Sequence, residues 1–249
     1  MLSVFGSATS TGLSCFLDGS VSHDKFTRIL SENQFGSRYL WIDVKEMVRN
    51  HESEDASLIL YDTIISKPCM DENDLISWHF GHSKNRDEKW INLLTAFYHI
   101  ISPKWEQTLR VPVSFECIKK TVRLCDISTR REKRQSSVSK NELMREMITQ
   151  SINGQHLVFK YVLADSRFAS ADNMRFIHGL DKFFLMDVKS NRLCMSAEKN
   201  RNKAGWTSLD KLPLNPGNPV KVWLKDLEIP VLLCTSLQKM MVQRVKCTW

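Results

Sequence analysis

Hydrophobic positions near the N-terminus follow the spacing of short amphipathic helices. Apolar residues recur at helical spacing within residues 20–30 and again within residues 41–49, and Ser22 precedes the first set as a capping residue. This pattern predicts a small helical region over residues 1–53. Two short helices with basic side chains are typical of a helix-turn-helix that contacts DNA, or of a lid that packs on a larger domain. The pattern leaves both interpretations open.

Further along the chain, short uninterrupted apolar runs predict strands and periodic segments predict helices. The predicted strands cover residues 57–61, 90–98, 109–117, 157–163 and 183–186. The predicted helices cover residues 141–152 and 170–178, the second with Ser170 as its N-cap. Residues 71–89 are predicted to form a polar loop, and residues 126–140 are charged and lack an apolar period, which also predicts a loop. The basic run within the second loop, residues 129–134, is a phosphate-binding arm, a nuclear-targeting patch or a solvated loop.

The order of these elements predicts an α/β fold in which helices flank a mixed sheet. Residues 54–198 form this core. Prolines and short strand-like runs then mark residues 199–234 as a β-rich insertion or subdomain. Residues 235–249 have a different composition and are expected to be an aberrant tail.

The composition is that of a folded, basic protein. Hydrophobic residues make up 42% of the chain, and seven Trp and twelve Phe exclude disorder as the general state. Lys and Arg number 35 against 28 acidic residues, and a net charge of +7 favours polyanionic partners, although many ordinary proteins share it. The seven scattered cysteines form no Cys-x-x-Cys pair, which favours reduced, mostly buried thiols over a zinc ribbon. No apolar run is long enough for a membrane helix and no secretory leader is evident, so we expect a cytoplasmic protein without a membrane partner.

Two segments share one design, an apolar strand that delivers an aspartate at its C-terminal end. Asp62 follows the first run and Asp165 follows a later one. If the two strands are neighbours, both carboxylates occupy one small volume at the sheet edge where ligands collect. Two close carboxylates favour a hard divalent cation such as Mg²⁺, with Mn²⁺ as a substitute. Aspartates also begin many loops as turn and cap residues, so this pattern alone is weak.

Longer motifs around both aspartates resemble the DDE transposases of bacterial insertion sequences. The first catalytic block of that family resembles residues 62–68 (DTIISKP), 76–84 (ISWHFGHSK) and 91–94 (INLL). The second block resembles residues 161–170 (YVLADSRFAS), and the family's leader resembles residues 11–14 and 22–28. The similarity extends to about residue 234, and its specificity comes from the number of matches.

The resemblance implies a ribonuclease-H-like core in which two aspartates and a glutamate bind divalent metal for DNA cleavage and strand transfer. It assigns Asp62 and Asp165 as catalytic residues and Mg²⁺ ligands. It also implies DNA as the partner, both element ends and target, a nucleoid location in a bacterium and a homodimer for the complete protein. The candidate DNA contacts near the first aspartate are Lys67, His79, His82, Lys84 and Arg86. The two histidines could instead ligate a metal as His-x-x-His, although no second pair accompanies them.

The chain departs from the family pattern at the expected glutamate. Glu228 lies in a segment that resembles the last strand of the insertion, so it is not assigned to the metal site. Residues 235–249 suggest the hypothesis of a frameshifted, shortened gene product that lacks the last part of the core. We therefore expect an inactive transposase. The alternatives are a non-catalytic DNA-binding remnant of such a transposase and a host-derived metal nuclease.

Overall fold

The computed structural model describes residues 9–81, 86–102, 107–125, 132–196, 205–235 and 240–244. The described part begins with three helices, α1 (Ser10–Phe16), α2 (His23–Glu32) and α3 (Ser37–Arg49). The side chain of Ser22 caps α2, as predicted. Helices α1 and α2 bury none of their residues, whereas α3 buries Val48 and packs against a strand of the sheet. The packing interpretation therefore applies to α3.

Four strands and a small hairpin follow these helices. The strands are β1 (Ser57–Ser66), β2 (Ile76–Gly81), β3 (Arg86–Ser102) and β4 (Gln107–Cys117). Strand β3 pairs antiparallel with β1, β2 and β4, which makes it the centre of this half of the sheet. Strands β5 (Val122–Cys125) and β6 (Glu132–Gln135) pair only with each other in the part of the chain that is described.

The next elements alternate between helix and strand. They are α4 (Lys140–Thr149) with a π-helical turn (Gln150–Gly154), then β7 (Tyr161–Ala164), α5 (Ala171–Gly179) and β8 (Phe183–Asp187). Strand β7 lies between β1 and β8 and is parallel to both. The predicted helices at residues 141–152 and 170–178 are confirmed, including Ser170 as the N-cap of α5.

The remaining strands extend the same sheet. They are β9 (Leu193–Met195), β10 (Thr207–Ser208), β11 (Val220–Leu224), β12 (Pro230–Thr235) and β13 (Met240–Arg244). The strand order is β10-β9-β11-β12-β13-β8-β7-β1-β3-β2, with β4 also paired to β3. The predicted α/β class, a mixed sheet flanked by helices, is therefore confirmed. Strand β13, which lies within the predicted tail of residues 235–249, pairs with both β12 and β8 and so joins the β-rich residues to the main sheet.

A single apolar core lies between the sheet and the helices. Helix α4 contributes Met144, Met147 and Ile148, and α5 contributes Met174 and Ile177. Their apolar positions recur at helical spacing, so one face of each helix packs on the strands. None of the helices in the described ranges is long and apolar enough to cross a membrane.

Three sequence expectations about local structure are wrong. Residues 71–89 are not a loop throughout, because β2 pairs with the first residues of β3 and buries Ile76 opposite Ile91. The polar loop predicted over residues 126–140 contains β6. Residues 157–160 are not strand, since Leu157 and Phe159 are apolar because they fill the core.

The cysteine expectation also needs correction. Of the six cysteines that the structure describes, all are free thiols and only Cys194 is buried. The remaining one, Cys247, lies outside the described residues. The absence of disulfides among the described cysteines agrees with the expectation of reduced thiols, but most of these thiols are not part of the core.

Candidate metal site

The two aspartates of interest lie on neighbouring parallel strands. Strands β1 and β7 pair from Ser57 opposite Tyr161 to Leu60 opposite Ala164. Asp165 directly follows the last residue of β7. Asp62 lies two residues after Leu60, the last residue of β1 that pairs with β7. The prediction that the two strands adjoin is confirmed. Neighbouring strands lie about 5 Å apart, so the two residues lie near the point in the middle of the sheet where the β1–β7 pairing ends, which we call the aspartate corner.

Asp62 does not end its strand, contrary to the sequence expectation. Strand β1 continues to Ser66 because β3 pairs with it along its whole length. Side chains alternate between the two faces of a strand, so Asp62 points to the same face as Leu58 and Leu60. Both leucines are buried, and the side chain of Asp62 is only 2% exposed. The sequence therefore places a carboxylate on the face of β1 whose leucines belong to the apolar core.

Two cations hold this buried carboxylate. Lys140 Nζ lies 2.7 Å from Asp62 Oδ2, and Arg167 Nη1 lies 2.5 Å from the same oxygen. Lys140 is the first residue of α4, and Arg167 belongs to the loop after β7. The other oxygen, Asp62 Oδ1, is buried and has no hydrogen-bond partner in the described part of the chain.

Asp165 has a different environment. It is exposed, and its Oδ1 accepts a hydrogen bond of 2.5 Å from the backbone N–H of Arg167. This is a turn in which an aspartate bonds its own backbone two residues later. Arg167 therefore contacts both carboxylates, Asp165 through its backbone and Asp62 through its guanidinium group.

A buried asparagine fixes the elements that carry these residues. Asn173, on α5, is fully buried, and its Nδ2 donates to Phe168 O (2.9 Å) and Asn141 Oδ1 (3.0 Å). Its Oδ1 accepts from Arg145 Nη1 at 2.7 Å. Phe168 is adjacent to Arg167 and Asn141 is adjacent to Lys140. The Asn173 side chain therefore links Phe168, which follows Arg167, to Asn141, which follows Lys140.

The start of α4 is fixed by a capping box. Ser139 Oγ accepts from the Glu142 N–H at 3.2 Å, and Glu142 Oε2 accepts from the Ser139 N–H at 2.8 Å. The hydrogen bond from the Ser139 backbone, with a second from its side chain, lowers the pKa of Glu142. These bonds define where the helix begins and so where Lys140 lies.

The predicted DNA contacts His79 and Arg86 lie away from Asp62. His79 is in β2 opposite Glu88, whereas Asp62 is opposite Leu94 on the same strand β3. Six residues of extended strand separate these two partners by about 20 Å. Arg86 begins β3 further out still, and for His79 and Arg86 only the backbone is described.

The remaining predicted DNA contacts are Lys67, His82 and Lys84. Lys67 follows the end of β1, where its N–H donates to Lys89 O at 2.7 Å. His82 and Lys84 lie outside the described residues. The basic run at residues 129–134 is described only in part, and its Arg134 is paired with Glu72 and Asp74.

Sequence reasoning missed Lys140 and Arg167, the two cations that contact Asp62. A signal existed for each. Arg167 lies two residues after a predicted site residue, within the same turn, and Lys140 directly follows Ser139, a typical capping residue. The sequence did not show that α4 begins next to β1, so that its first residue, Lys140, contacts Asp62.

The chemistry of the site suits a divalent cation in part. Asp62 Oδ1 is an anionic oxygen without a partner among the described atoms, which is what a buried metal ligand presents before it binds an ion. No group of three His, Cys, Asp or Glu side chains within the described ranges is arranged to hold a metal. Glu228 is ion-paired with Arg175 of α5 at 3.1 Å.

Comparison with known proteins adds no assignment to this geometry. No protein-family model matches the chain, and no curated protein gives a significant match.

Proposed function

We propose that this chain derives from a DDE transposase of an insertion sequence and that Asp62 and Asp165 are two of its metal ligands. In such a protein the bound Mg²⁺ or Mn²⁺ would activate a water molecule and stabilise the leaving oxygen of a phosphodiester during DNA cleavage and strand transfer. The observation that carries the proposal is the position of the two aspartates at the aspartate corner, where two adjacent parallel strands stop pairing. Their sequence context, which resembles both catalytic blocks of the family, is the second support.

The topology of the core supports a ribonuclease-H-like fold as part of this proposal. Three antiparallel strands, β4-β3-β1, are followed in the sheet by two parallel ones, β7 and β8. Helices α4 and α5 connect them in chain order. A mixed sheet flanked by helices, with Asp62 on β1 and Asp165 directly after the adjacent β7, supports this part of the proposal.

We further propose that the chain on its own cleaves DNA negligibly. Asp62 already holds two cations, so a metal must compete with both for this carboxylate. The family's third acid has no counterpart at Glu228, whose carboxylate pairs with Arg175 instead. Among the described residues no third acidic side chain joins the two aspartates. Two carboxylates alone would hold metal ions loosely, and the two-metal reaction requires close control of metal position.

Mn²⁺ binding in the presence of duplex DNA tests the metal site. We expect Asp62→Asn and Asp165→Asn each to weaken binding by at least about tenfold, because each removes an anionic ligand. Asp55→Asn is the matched control, because Asp55 is an exposed carboxylate at the opposite end of β1, paired with Lys160. Equal affinities in all four proteins would contradict the proposal.

Cleavage is measured on a supercoiled plasmid that carries the DNA flanking this gene. We expect almost no nicking with Mn²⁺ by the unmodified chain. Efficient cutting that Asp62→Ala abolishes would overturn the expectation of inactivity while supporting the metal site.

A non-catalytic DNA-binding remnant is the second candidate. The ion pairs at Asp62 favour it, because a carboxylate neutralised by two cations can serve structure alone. This candidate predicts salt-dependent DNA binding without Mn²⁺ binding that depends on Asp62.

A further inference from the structure

We propose that Arg167 is a built-in competitor for the metal at Asp62, and that a DNA phosphate removes it. This inference rests on the proposed function and adds a form of regulation to it. In the metal-free chain Arg167 blocks Asp62, and binding of DNA to Arg167 makes the carboxylate available to a divalent cation. DNA binding and metal binding are thereby coupled.

The contacts of Arg167 are the first step. Its guanidinium group lies 2.5 Å from Asp62 Oδ2, and its own N–H donates to Asp165 Oδ1. A divalent cation held by Asp62 and Asp165 would have to share these carboxylates with Arg167. Arg167 is therefore placed where it repels such an ion and occupies one of the oxygens that would bind it.

The charge balance is the second step. Asp62 and Asp165 each contribute one negative charge, and Lys140 and Arg167 each contribute one positive charge, so the four groups sum to zero. A cluster of zero net charge attracts a divalent cation less than the two carboxylates alone would. Removal of Arg167 leaves a net charge of −1, and the Asp62 side chain is buried, where charge interactions are weakly screened.

The two cations differ in freedom of movement. The side chain of Arg167 is 55% exposed and projects from a loop, whereas that of Lys140 is 30% exposed and belongs to the first turn of a capped helix. Arg167 can rotate into solvent with little change in packing. It is the cation that yields, while Lys140 stays on Asp62.

A phosphodiester is the anion best suited to draw Arg167 away. The planar guanidinium group forms paired hydrogen bonds with phosphate oxygens, and its exposed position lets a nucleic-acid backbone reach it. Because coupling between two ligands is reciprocal, DNA that binds Arg167 tightens metal binding, and metal tightens DNA binding.

The test is Mn²⁺ titration calorimetry on the full chain, with Arg167→Gln as the main variant. Without DNA, we expect Arg167→Gln to bind Mn²⁺ at least about tenfold more tightly than the unmodified chain, since a nearby positive charge is lost. Adding Asp62→Asn to this variant should abolish the gain. A duplex oligonucleotide of arbitrary sequence should tighten Mn²⁺ binding by the unmodified chain but have little effect on Arg167→Gln.

Two further variants control for net charge and for folding. Arg175→Gln removes an arginine that pairs with Asp172 and Glu228, and we expect it to leave Mn²⁺ affinity unchanged. Lys140→Gln removes the second cation from Asp62, and should also tighten binding. Because Lys140→Gln keeps Arg167, DNA should still tighten its Mn²⁺ binding, and this DNA effect measures the role of Arg167 if Arg167→Gln folds poorly.

The possible outcomes separate this inference from the proposed function. Mn²⁺ binding that depends on Asp62 but is equal in Arg167→Gln and the unmodified chain, with and without DNA, overturns the role of Arg167 alone. No Mn²⁺ binding by any variant overturns the metal site and this inference together. Tightening by Arg175→Gln equal to that by Arg167→Gln would reduce the effect to net charge and overturn a specific role.

Discussion

Asp62 and Asp165 have nearly the same sequence context but different physical environments. Each follows a short apolar run on neighbouring parallel strands. Asp62 is buried and held by two cations, because β3 extends its strand and α4 begins above it. Asp165 is exposed and bonds the backbone of its own loop, because β7 ends one residue before it.

The difference shows that the surrounding elements decide what a carboxylate can do. Breaking the ion pairs of a buried aspartate lowers the stability of the fold, whereas an exposed aspartate mainly shapes its turn. If the two act together on a metal, Asp62 supplies the fixed oxygen and Asp165 the adjustable one. Their unequal roles can be measured through stability as well as through metal binding.

The largest expected effect is at Asn173, whose side chain links α5 to α4 and to the loop after β7. Asn173→Ala should lower the free energy of unfolding by about 3 kcal/mol, because it leaves a small cavity and several buried polar groups without partners. Those groups include the buried carbonyl of Phe168, and the partly buried guanidinium group of Arg145 also loses its partner. Chemical denaturation monitored by circular dichroism measures the loss. Asn215→Ala, at an exposed loop position, should be neutral within about 0.5 kcal/mol. An equal effect of the two variants would show that Asn173 does not tie these elements together.

Much of the fold near the aspartate corner could be predicted from local pattern. The apolar run before Asp62, the helix capped by Ser170 and the strand at residues 183–186 all appear as expected. In each case the pattern reports the burial of one face of one element. Strand β2 was missed although its apolar residues Ile76, Trp78 and Phe80 alternate with polar ones, because polar residues precede and follow this short run. Residues 157–160 were misassigned because burial without strand pairing gives the same apolar run as a strand.

The candidate site could be predicted only as far as the two aspartates. Their strands adjoin, but nothing local in the sequence specifies that Lys140 reaches Asp62 from 78 positions away. The expected DNA contacts were chosen for closeness in sequence to Asp62, and an extended strand carries such residues away from it. Arg167 was the exception, since it is two residues from Asp165 and could have been considered.

The next effect compares the two aspartates directly. Asp62→Asn should cost about 1.5 kcal/mol, because it removes the charge that Lys140 and Arg167 neutralise at a buried position. This is less than for a fully buried pair, because both cations are partly exposed. Asp165→Asn should cost less than about 0.5 kcal/mol, since its amide oxygen still accepts from the Arg167 N–H. Denaturant titrations of both variants provide the comparison, and equal costs would contradict the difference in environment.

The smallest effect concerns the capping box that places Lys140 over Asp62. The pKa of Glu142 is lowered in the folded chain, so its ionised form stabilises the fold at neutral pH. This contribution is present above the unfolded-state pKa and is lost as the pH falls through the folded-state pKa. Glu142→Gln keeps a hydrogen-bond acceptor for the Ser139 N–H but removes the charge. It should therefore be slightly less stable than the unmodified chain at about pH 7, and the difference should shrink as the pH falls below the unfolded-state pKa of a glutamate, about 4.3. Denaturation across this range measures it. Glu32→Gln, in the last turn of α2, serves as a control outside a capping box. A difference between Glu142→Gln and the unmodified chain that persists unchanged at low pH would show that charge at the cap does not hold this end of α4.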